Sequence, residues 1–256
     1  MSFFYFSYQG NKRGELKNII PLIDLNKYDI IIEPFAGSAS ISRALYALDN
    51  TKKYIISDND TCLVNFCNEF YKDDDAIIKK ALKQIKKIDC KETFDKYINT
   101  LKNNNNISHD EYLIYNTYYA IRKGLYPLDR KPSYIQLKKN KDTINEFFKN
   151  NKYRCCDYTK YMNKYKDDTR AFIFLDPPYI NSTKSNGFYE SPSIDWEWLR
   201  EYFKTCNCKF IMIVEDNIFM RILYKKWFKG SYNKLYQNTK RKTMHVIYSN
   251  IHNINI

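Results

Sequence analysis

The 256 residues carry 42 Lys and Arg against 29 Asp and Glu, which gives a formal net charge of +13. Hydrophobic residues make up 44% of the chain, so the composition excludes wholesale disorder and allows one sizeable core with a smaller subdomain. The positive charge is the electrostatic footprint of a polyanionic partner, although a merely soluble basic protein would show the same balance.

The seven cysteines form no zinc-binding pattern. Cys155 and Cys156 are adjacent, and one residue separates Cys206 from Cys208. We therefore expect reduced thiols and no metal site. No apolar run approaches the length that spans a bilayer, and the N-terminal segment lacks the apolar stretch of a secretion signal. The sequence thus predicts a soluble, intracellular protein without a membrane partner.

The first α/β signal is an apolar run over residues 28–32, which predicts a strand that ends at Glu33. A turn over residues 34–40 follows, with Gly37 near its centre, and the apolar periodicity of residues 41–48 predicts a helix. Strand, glycine turn and helix in this order begin many α/β nucleotide sites, although any tight turn also needs small residues.

A second predicted strand, residues 53–57, ends at Asp58, about 20 residues beyond the glycine turn. An acid at that place can bind the hydroxyls of a ribose. Residues 57–60 would also cap a helix N-terminus well, so this position alone leaves both interpretations open.

The chain changes character over residues 71–151, which are Lys-rich and mostly helical in pattern. We predict an inserted, mainly helical target-recognition subdomain over this segment, and a catalytic domain formed from residues 1–70 and 152–256. The candidate DNA-binding residues are Arg122, Lys123, Tyr126, Arg130, Lys131 and Lys138. A second basic stretch, residues 225–242, adds to the same signal.

The α/β pattern resumes with an apolar run over residues 171–175 that ends in Asp176-Pro177-Pro178-Tyr179. The prolines make this segment rigid. A carboxylate and an adjacent carbonyl can both accept hydrogen bonds from one exocyclic amino group, which favours attack by the nitrogen lone pair. Tyr179 can stack on a base, which contributes about 1–3 kcal/mol. Although Asp-Pro-Pro also occurs in ordinary turns, this tetrapeptide is the candidate catalytic motif.

Strands and helices continue to alternate after a polar loop over residues 180–193. The pattern predicts helices over 196–203 and 217–227, and strands over 210–214, around Leu235 and over 244–249. This alternation indicates a mainly parallel sheet whose site lies at the carboxyl ends of the strands.

Several segments match, in order, the motifs of one enzyme family. They are residues 8–12 (W/Y-x-G-G-K), 33–40 (E-P-F-x-G-x-G-S), 58–60 (D-I-N), 156–158 (a D-F segment), 176–179 (DPPY) and 216–224 (D-x-x-x-I-R-x-L-Y). The chain resembles the Dam-type (D12 class) adenine-N6 DNA methyltransferases. The resemblance implies an α/β fold, namely a Rossmann-like class I methyltransferase sheet with an inserted DNA-recognition subdomain.

The resemblance also implies S-adenosyl-L-methionine as methyl donor, double-stranded DNA as partner and no metal. Asp176, Pro177, Pro178 and Tyr179 would be catalytic. The implied cofactor-binding residues are Tyr8, Gly10, Lys12, Glu33, Pro34, Phe35, Gly37, Asp58, Asp157, Tyr158 and Asp176. Lys12 would bind the methionine carboxylate or a nearby acid, and Asp58 the ribose. Phe35 and Tyr158 would flank the adenine ring.

The implied reaction is methyl transfer to adenine N6 in a base that has been flipped out of the duplex. The polar loop, over residues 181–189, would close over the reactants. The same tetrapeptide could serve another acceptor, such as cytosine N4 or RNA adenine. A catalytically impaired DNA-binding relative is the alternative from a different class.

Among the departures from the family pattern, three matter most. Ala39 stands where a second glycine is usual, so a positive φ there would strain the backbone. His245 stands at the glutamate of a K-x-x-E-x-L-I-x-N segment, and the sequence assigns it no role. Residues 112–130 follow the family's recognition pattern only loosely, so the resemblance does not predict a target sequence.

Overall fold

A computed structural model describes residues 12–70, 72, 74–104, 107–116, 141–179, 194–235 and 242–254. One sheet runs through these residues. Its strands are β1 (Ile30–Glu33), β2 (Lys53–Asp58), β3 (Tyr153–Cys155), β4 (Ala171–Leu175), β5 (Lys209–Glu215), β6 (Phe228–Leu235) and β7 (Lys242–Ser249).

The strands are arranged in the order β3-β2-β1-β4-β5-β7-β6. The first five are parallel to one another, while β7 is antiparallel to both β5 and β6. The strand order reverses between β1 and β4, because β2 and β3 extend the sheet to one side and β5 to the other. The predicted α/β class and mainly parallel sheet are therefore confirmed.

Helices cover both faces of this sheet. In the described part of the chain they are α1 (Leu16–Ile19), α2 (Ser40–Tyr46), α3 (Thr61–Phe70), α4 (Asp74–Ile85), α5 (Lys91–Lys102), α6 (His109–Ile114), α7 (Lys141–Asn150), α8 (Tyr158–Lys164), α9 (Trp196–Thr205) and α10 (Ile218–Leu223). No helix among them has both the length and the apolar character needed to cross a membrane.

β4 is apolar at every position, and so are residues 30–32 of β1 and 210–214 of β5, because both faces of the sheet are buried there. In β4, Phe172 and Phe174 belong to the core formed with the helices from α1 to α7. Ile173 and Leu175 belong to the core on the other face, formed with α8, α9 and α10. Burial of each such side chain stabilises the fold by about 1.5–3 kcal/mol.

The segment between β2 and β3 is helical where it is described, as the sequence predicts. Its packing continues the first core, since the ring of Tyr112 on α6 lies 4.9 Å from Phe66 on α3. Phe147 on α7 contacts Tyr46 and Tyr54 edge-on, at 5.2 and 6.0 Å. α7 therefore covers the sheet itself, and the boundaries of a separate recognition subdomain remain a prediction.

The turn between β1 and α2 contains two residues with positive φ, Gly37 at 51° and Ala39 at 52°. Ala39 is fully buried and precedes the first residue of α2, where its carbonyl accepts a hydrogen bond from the N–H of Arg43 at 3.0 Å. The left-handed conformation expected to strain position 39 is thus present, with an alanine in it.

We expect Gly37→Ala to lower the free energy of unfolding by about 1–2 kcal/mol, because a Cβ in the left-handed region costs about that much. Ala39→Gly relieves the same strain. It also removes a buried methyl group, which costs about 0.8 kcal/mol of stability. The glycine raises the conformational entropy of the unfolded chain, which costs a further amount of about 0.4–1 kcal/mol. Its net effect should stay below about 1 kcal/mol. Urea unfolding followed by circular dichroism measures both, and an unchanged stability for Gly37→Ala would contradict the geometry of the turn.

Candidate active site

Three carboxylates lie at the carboxyl ends of neighbouring strands. β1 ends at Glu33, β2 ends at Asp58, and Asp176 directly follows β4. These strands are parallel and adjacent, so their carboxyl ends share one edge of the sheet. The strand order reverses between β1 and β4, and open α/β sheets bind their ligands at such a point.

Asp176 is held by a lysine from the N-terminal segment. The Nζ of Lys12 lies 2.5 Å from Asp176 Oδ2, with only 3% and 17% of the two side chains exposed. Burial raises the pKa of Asp176 above the usual aspartate value, while the positive charge of Lys12 acts in the opposite direction. Of the two partners that the resemblance implies for Lys12, this structure shows the nearby acid.

Tyr179 belongs to the same contact group. Its hydroxyl accepts a hydrogen bond from Lys12 Nζ at 3.0 Å and lies 3.5 Å from Asp176 Oδ1. Lys12 Nζ also lies 5.4 Å from the centre of the Tyr179 ring. The ring is half-buried, so part of it remains available for stacking. The structure therefore brings the predicted catalytic acid, the predicted stacking ring and Lys12 together.

Glu33 supports the glycine turn from inside the protein. It is buried, and its Oε2 accepts a hydrogen bond from the backbone N–H of Ser42 at 2.9 Å. Burial raises the pKa of Glu33 to about 7, with a further contribution from the negative charge of Asp176. Pro34 is buried as well. These two predicted cofactor-binding residues thus form the inner support of the turn.

Asp58 fixes the other side of the turn. Its Oδ2 accepts a hydrogen bond from the N–H of Gly37 at 3.0 Å, and its Oδ1 accepts one from the N–H of Asp60 at 3.1 Å. The hydroxyl of Tyr153 donates to the carbonyl of Gly37 at 2.7 Å. Burial raises the pKa of Asp58. The glycine loop is therefore tied to both β2 and β3, with the carboxylate at its rim.

Phe35 and Tyr158 stack directly on each other, with ring centres 5.0 Å apart and planes 30° apart. The two rings contact each other, and their flanking of an adenine ring stays a prediction. The adjacent Asp157 is exposed and caps α8, where its Oδ1 accepts a hydrogen bond from the N–H of Thr159 at 2.9 Å. Phe35 and Tyr158 together present one aromatic surface.

Three further residues lie behind the tetrapeptide, although the sequence did not suggest a role for any of them. Glu15 is buried and forms an ion pair with Lys234 at 2.5 Å, and its Oε2 lies 2.7 Å from His245 Nδ1. Lys234 lies in the basic stretch interpreted as a nucleic-acid signal, yet only 12% of its side chain is exposed. The only local signal for a role of Glu15 at the site was its distance of three residues from Lys12 in the sequence.

Some predicted residues lie outside the described part of the chain. They are Tyr8 and Gly10, the loop over residues 181–189, and the whole DNA-binding set of Arg122, Lys123, Tyr126, Arg130, Lys131 and Lys138. Within the described ranges, His, Cys, Asp and Glu side chains form no group of three or more that could hold a metal ion.

Comparison with known proteins gives two matches. Residues 8–244 match the family described as D12 class N6 adenine-specific DNA methyltransferase. The chain is also similar to the Type II methyltransferase M.CviBI of Paramecium bursaria Chlorella virus NC1A, at 30% identity over 77 residues. That similarity covers 30% of this chain and 30% of the viral protein.

The family match runs from the N-terminal Lys12 element through the glycine turn, Asp58 and the tetrapeptide to β7. These are the same elements that the fold assembles at one edge of the sheet. The chain therefore belongs to the D12 class of N6 adenine-specific DNA methyltransferases.

Proposed function

We propose that this protein transfers a methyl group from S-adenosyl-L-methionine to N6 of adenine in double-stranded DNA. The observation that carries the proposal is the group formed by Asp176, Lys12 and Tyr179 at the end of β4, beside the glycine turn. An acceptor carboxylate and a half-exposed aromatic ring within one contact group suit a planar base with an exocyclic amino group.

The residues at the carboxyl ends of β1 and β2 suit a nucleoside-containing donor. Gly37 has no side chain to obstruct it, Asp58 offers carboxylate oxygens, and the half-exposed Phe35 offers an aromatic surface. We propose that these three residues hold S-adenosyl-L-methionine. When bound, it supplies a methyl group on a positively charged sulfur atom.

Asp176 would accept a hydrogen bond from the N6 amino group, and the carbonyl of Pro177 would accept the other. Together they would orient the nitrogen lone pair towards the methyl group and exclude other orientations of the amino group. Formation of the new bond at N6 requires the nitrogen to lose one proton. Asp176 is suited to take it, because burial raises the pKa of its carboxylate.

Adenine N6 lies within the base stack of a duplex, so the target nucleotide must rotate out to reach Asp176. We propose that Tyr179 then stacks on the extruded ring, which offsets part of the cost of unstacking. The net charge of +13 supports a DNA partner. We further propose that residues 71–151 read the target, with Arg122, Lys123 and Lys131 among the phosphate contacts.

We predict that Asp176→Asn lowers methyl transfer on the order of 10²–10³-fold, the size expected for loss of one transition-state contact. The amide keeps the shape of the side chain but replaces one acceptor oxygen with an NH₂ group. This group cannot accept a hydrogen bond from the N6 amino group of adenine. Purified protein is incubated with tritiated donor and unmodified DNA, and the product is digested to nucleosides.

The matched control is Glu197→Gln on the exposed surface of α9, which should keep full activity. Label in N6-methyl-2′-deoxyadenosine alone supports the proposal, whereas label in N4-methyl-2′-deoxycytidine assigns a different acceptor. Full activity of Asp176→Asn would refute the proposed role of the carboxylate.

We predict that Asp58→Ala weakens binding of S-adenosyl-L-methionine about 10- to 100-fold, through lost hydrogen bonds to a charged group and a loosened glycine turn. Asp157→Ala should change the affinity by less than about 3-fold and lower the stability by about 1 kcal/mol, because Asp157 caps α8. Titration calorimetry and urea unfolding measure the two effects. Equal affinity losses in both variants would contradict this assignment.

A further inference from the structure

A buried polar cluster lies directly behind the catalytic tetrapeptide. We call it the Glu15 cluster, and it comprises Glu15, Tyr232, Lys234 and His245. Glu15 Oε1 pairs with Lys234 Nζ at 2.5 Å, while its Oε2 accepts a hydrogen bond from the hydroxyl of Tyr232 at 2.6 Å. His245 Nδ1 lies 2.7 Å from the same Oε2. The sheet thus brings an acid from residue 15 to two side chains of β6 and one of β7.

The cluster touches the catalytic residues at two points. The N–H of Glu15 donates a hydrogen bond to the carbonyl of Lys12 at 2.8 Å, across one turn of 3-10 helix. The ring of His245 packs edge-on against the ring of Tyr179, with centres 5.5 Å apart. The backbone of Glu15 is thus bonded to that of Lys12, and His245 packs against the ring that is proposed to stack on the base.

The positive and negative charges of the Glu15 cluster and of the Lys12–Asp176 pair are equal in number. Two lysines, Lys12 and Lys234, face two carboxylates, Glu15 and Asp176. Burial alone would raise the pKa of Glu15, but the hydrogen bond from His245 and the charges of both lysines hold it well below the usual glutamate range. Glu15 is consequently an anion at any pH at which the protein works. Burial lowers the pKa of Lys234, and the negative charge of Glu15 works against that change.

We propose that Glu15 is a positioning residue for methyl transfer. Through the Glu15 cluster it neutralises Lys234 behind the site, so that Asp176 remains basic enough to take a proton from the adenine amino group. This inference rests on the proposed function. It assigns a role to the four residues of the Glu15 cluster, which would act on the reactants only through Lys12, Tyr179 and Asp176, and it explains why a lysine from the basic stretch is largely buried.

The inference predicts the direction in which each charge moves the titration of Asp176. Within the described residues, the titratable and charged groups that face Asp176 are Lys12, Glu15, Glu33, Tyr179, Tyr232 and Lys234. Removing the negative charge of Glu15 lowers the pKa of Asp176, because two positive charges then act on it without compensation. Removing the positive charge of Lys234 raises it.

We therefore expect Glu15→Gln to move the acid limb of the kcat/KM profile to lower pH, and Lys234→Met to move it to higher pH. Each shift should be on the order of one pH unit. The double variant should return close to the parent value. The matched control is the exposed pair on α9, where Glu201→Gln and Lys204→Met break a 2.6 Å contact and should leave the limb in place.

A purely structural role for Glu15 would lower activity or stability in both single variants without moving the acid limb, and that result would overturn the proposal. Thermal unfolding followed by circular dichroism identifies any variant that fails to fold. If Glu15→Gln does not fold, Lys234→Met alone still tests the inference. An acid limb that stays in place or moves to lower pH in that variant contradicts it.

A second readout keeps this test separate from the proposed function. The carboxyl carbons of aspartate are labelled with ¹³C, and the signal of Asp176 is assigned by its loss in Asp176→Asn. Its titration midpoint should fall in Glu15→Gln and rise in Lys234→Met. If the parent protein transfers no methyl group to DNA, the proposed function fails while this titration still supports or refutes the link between Glu15 and Asp176.

Discussion

The buried ion pair between Lys12 and Asp176 is the interaction on which the active site depends. It joins the N-terminal segment to the end of the central strand β4, and both side chains are largely withdrawn from water. A buried charge without a partner is strongly destabilising, so each residue requires the other to stay in place. The hydroxyl of Tyr179 is held by the same lysine, which couples the ring proposed to stack on the base to the carboxylate proposed as acceptor.

A single buried pair of this kind rarely stabilises a fold, because desolvation of two charges offsets most of their attraction. The protein places a second pair, Glu15 with Lys234, behind the first one and adds hydrogen bonds from Tyr232 and a contact with His245. Linked polar side chains of this kind restrict one another to one arrangement, which makes the site rigid. Rigidity is what a methyl-transfer site needs, since its main contribution is the alignment of the reacting atoms.

The proposed donor site is organised by the backbone more than by side chains. Asp58 and Glu33 both accept hydrogen bonds from the backbone around the glycine turn, and this turn is strained at Ala39. Strained backbone of this kind persists where the surrounding structure holds it in place, and it is common at ligand sites. Two acids that the sequence marks as ligand contacts therefore also hold the turn, and removal of Asp58 affects both roles.

The sequence by itself determined the α/β class, the β1–turn–α2 unit, the acid at the end of β2 and the tetrapeptide after β4, because each depends on local periodicity and order along the chain. Only the tertiary structure decided the partner of Lys12, the contact between Phe35 and Tyr158, and the Glu15 cluster. Glu15 and Lys234 are 219 residues apart, and nothing local distinguishes a buried lysine from an exposed one in a basic stretch. The antiparallel pairing of β6 and β7 delivers Lys234 and His245 to the site, and strand pairing is a long-range property.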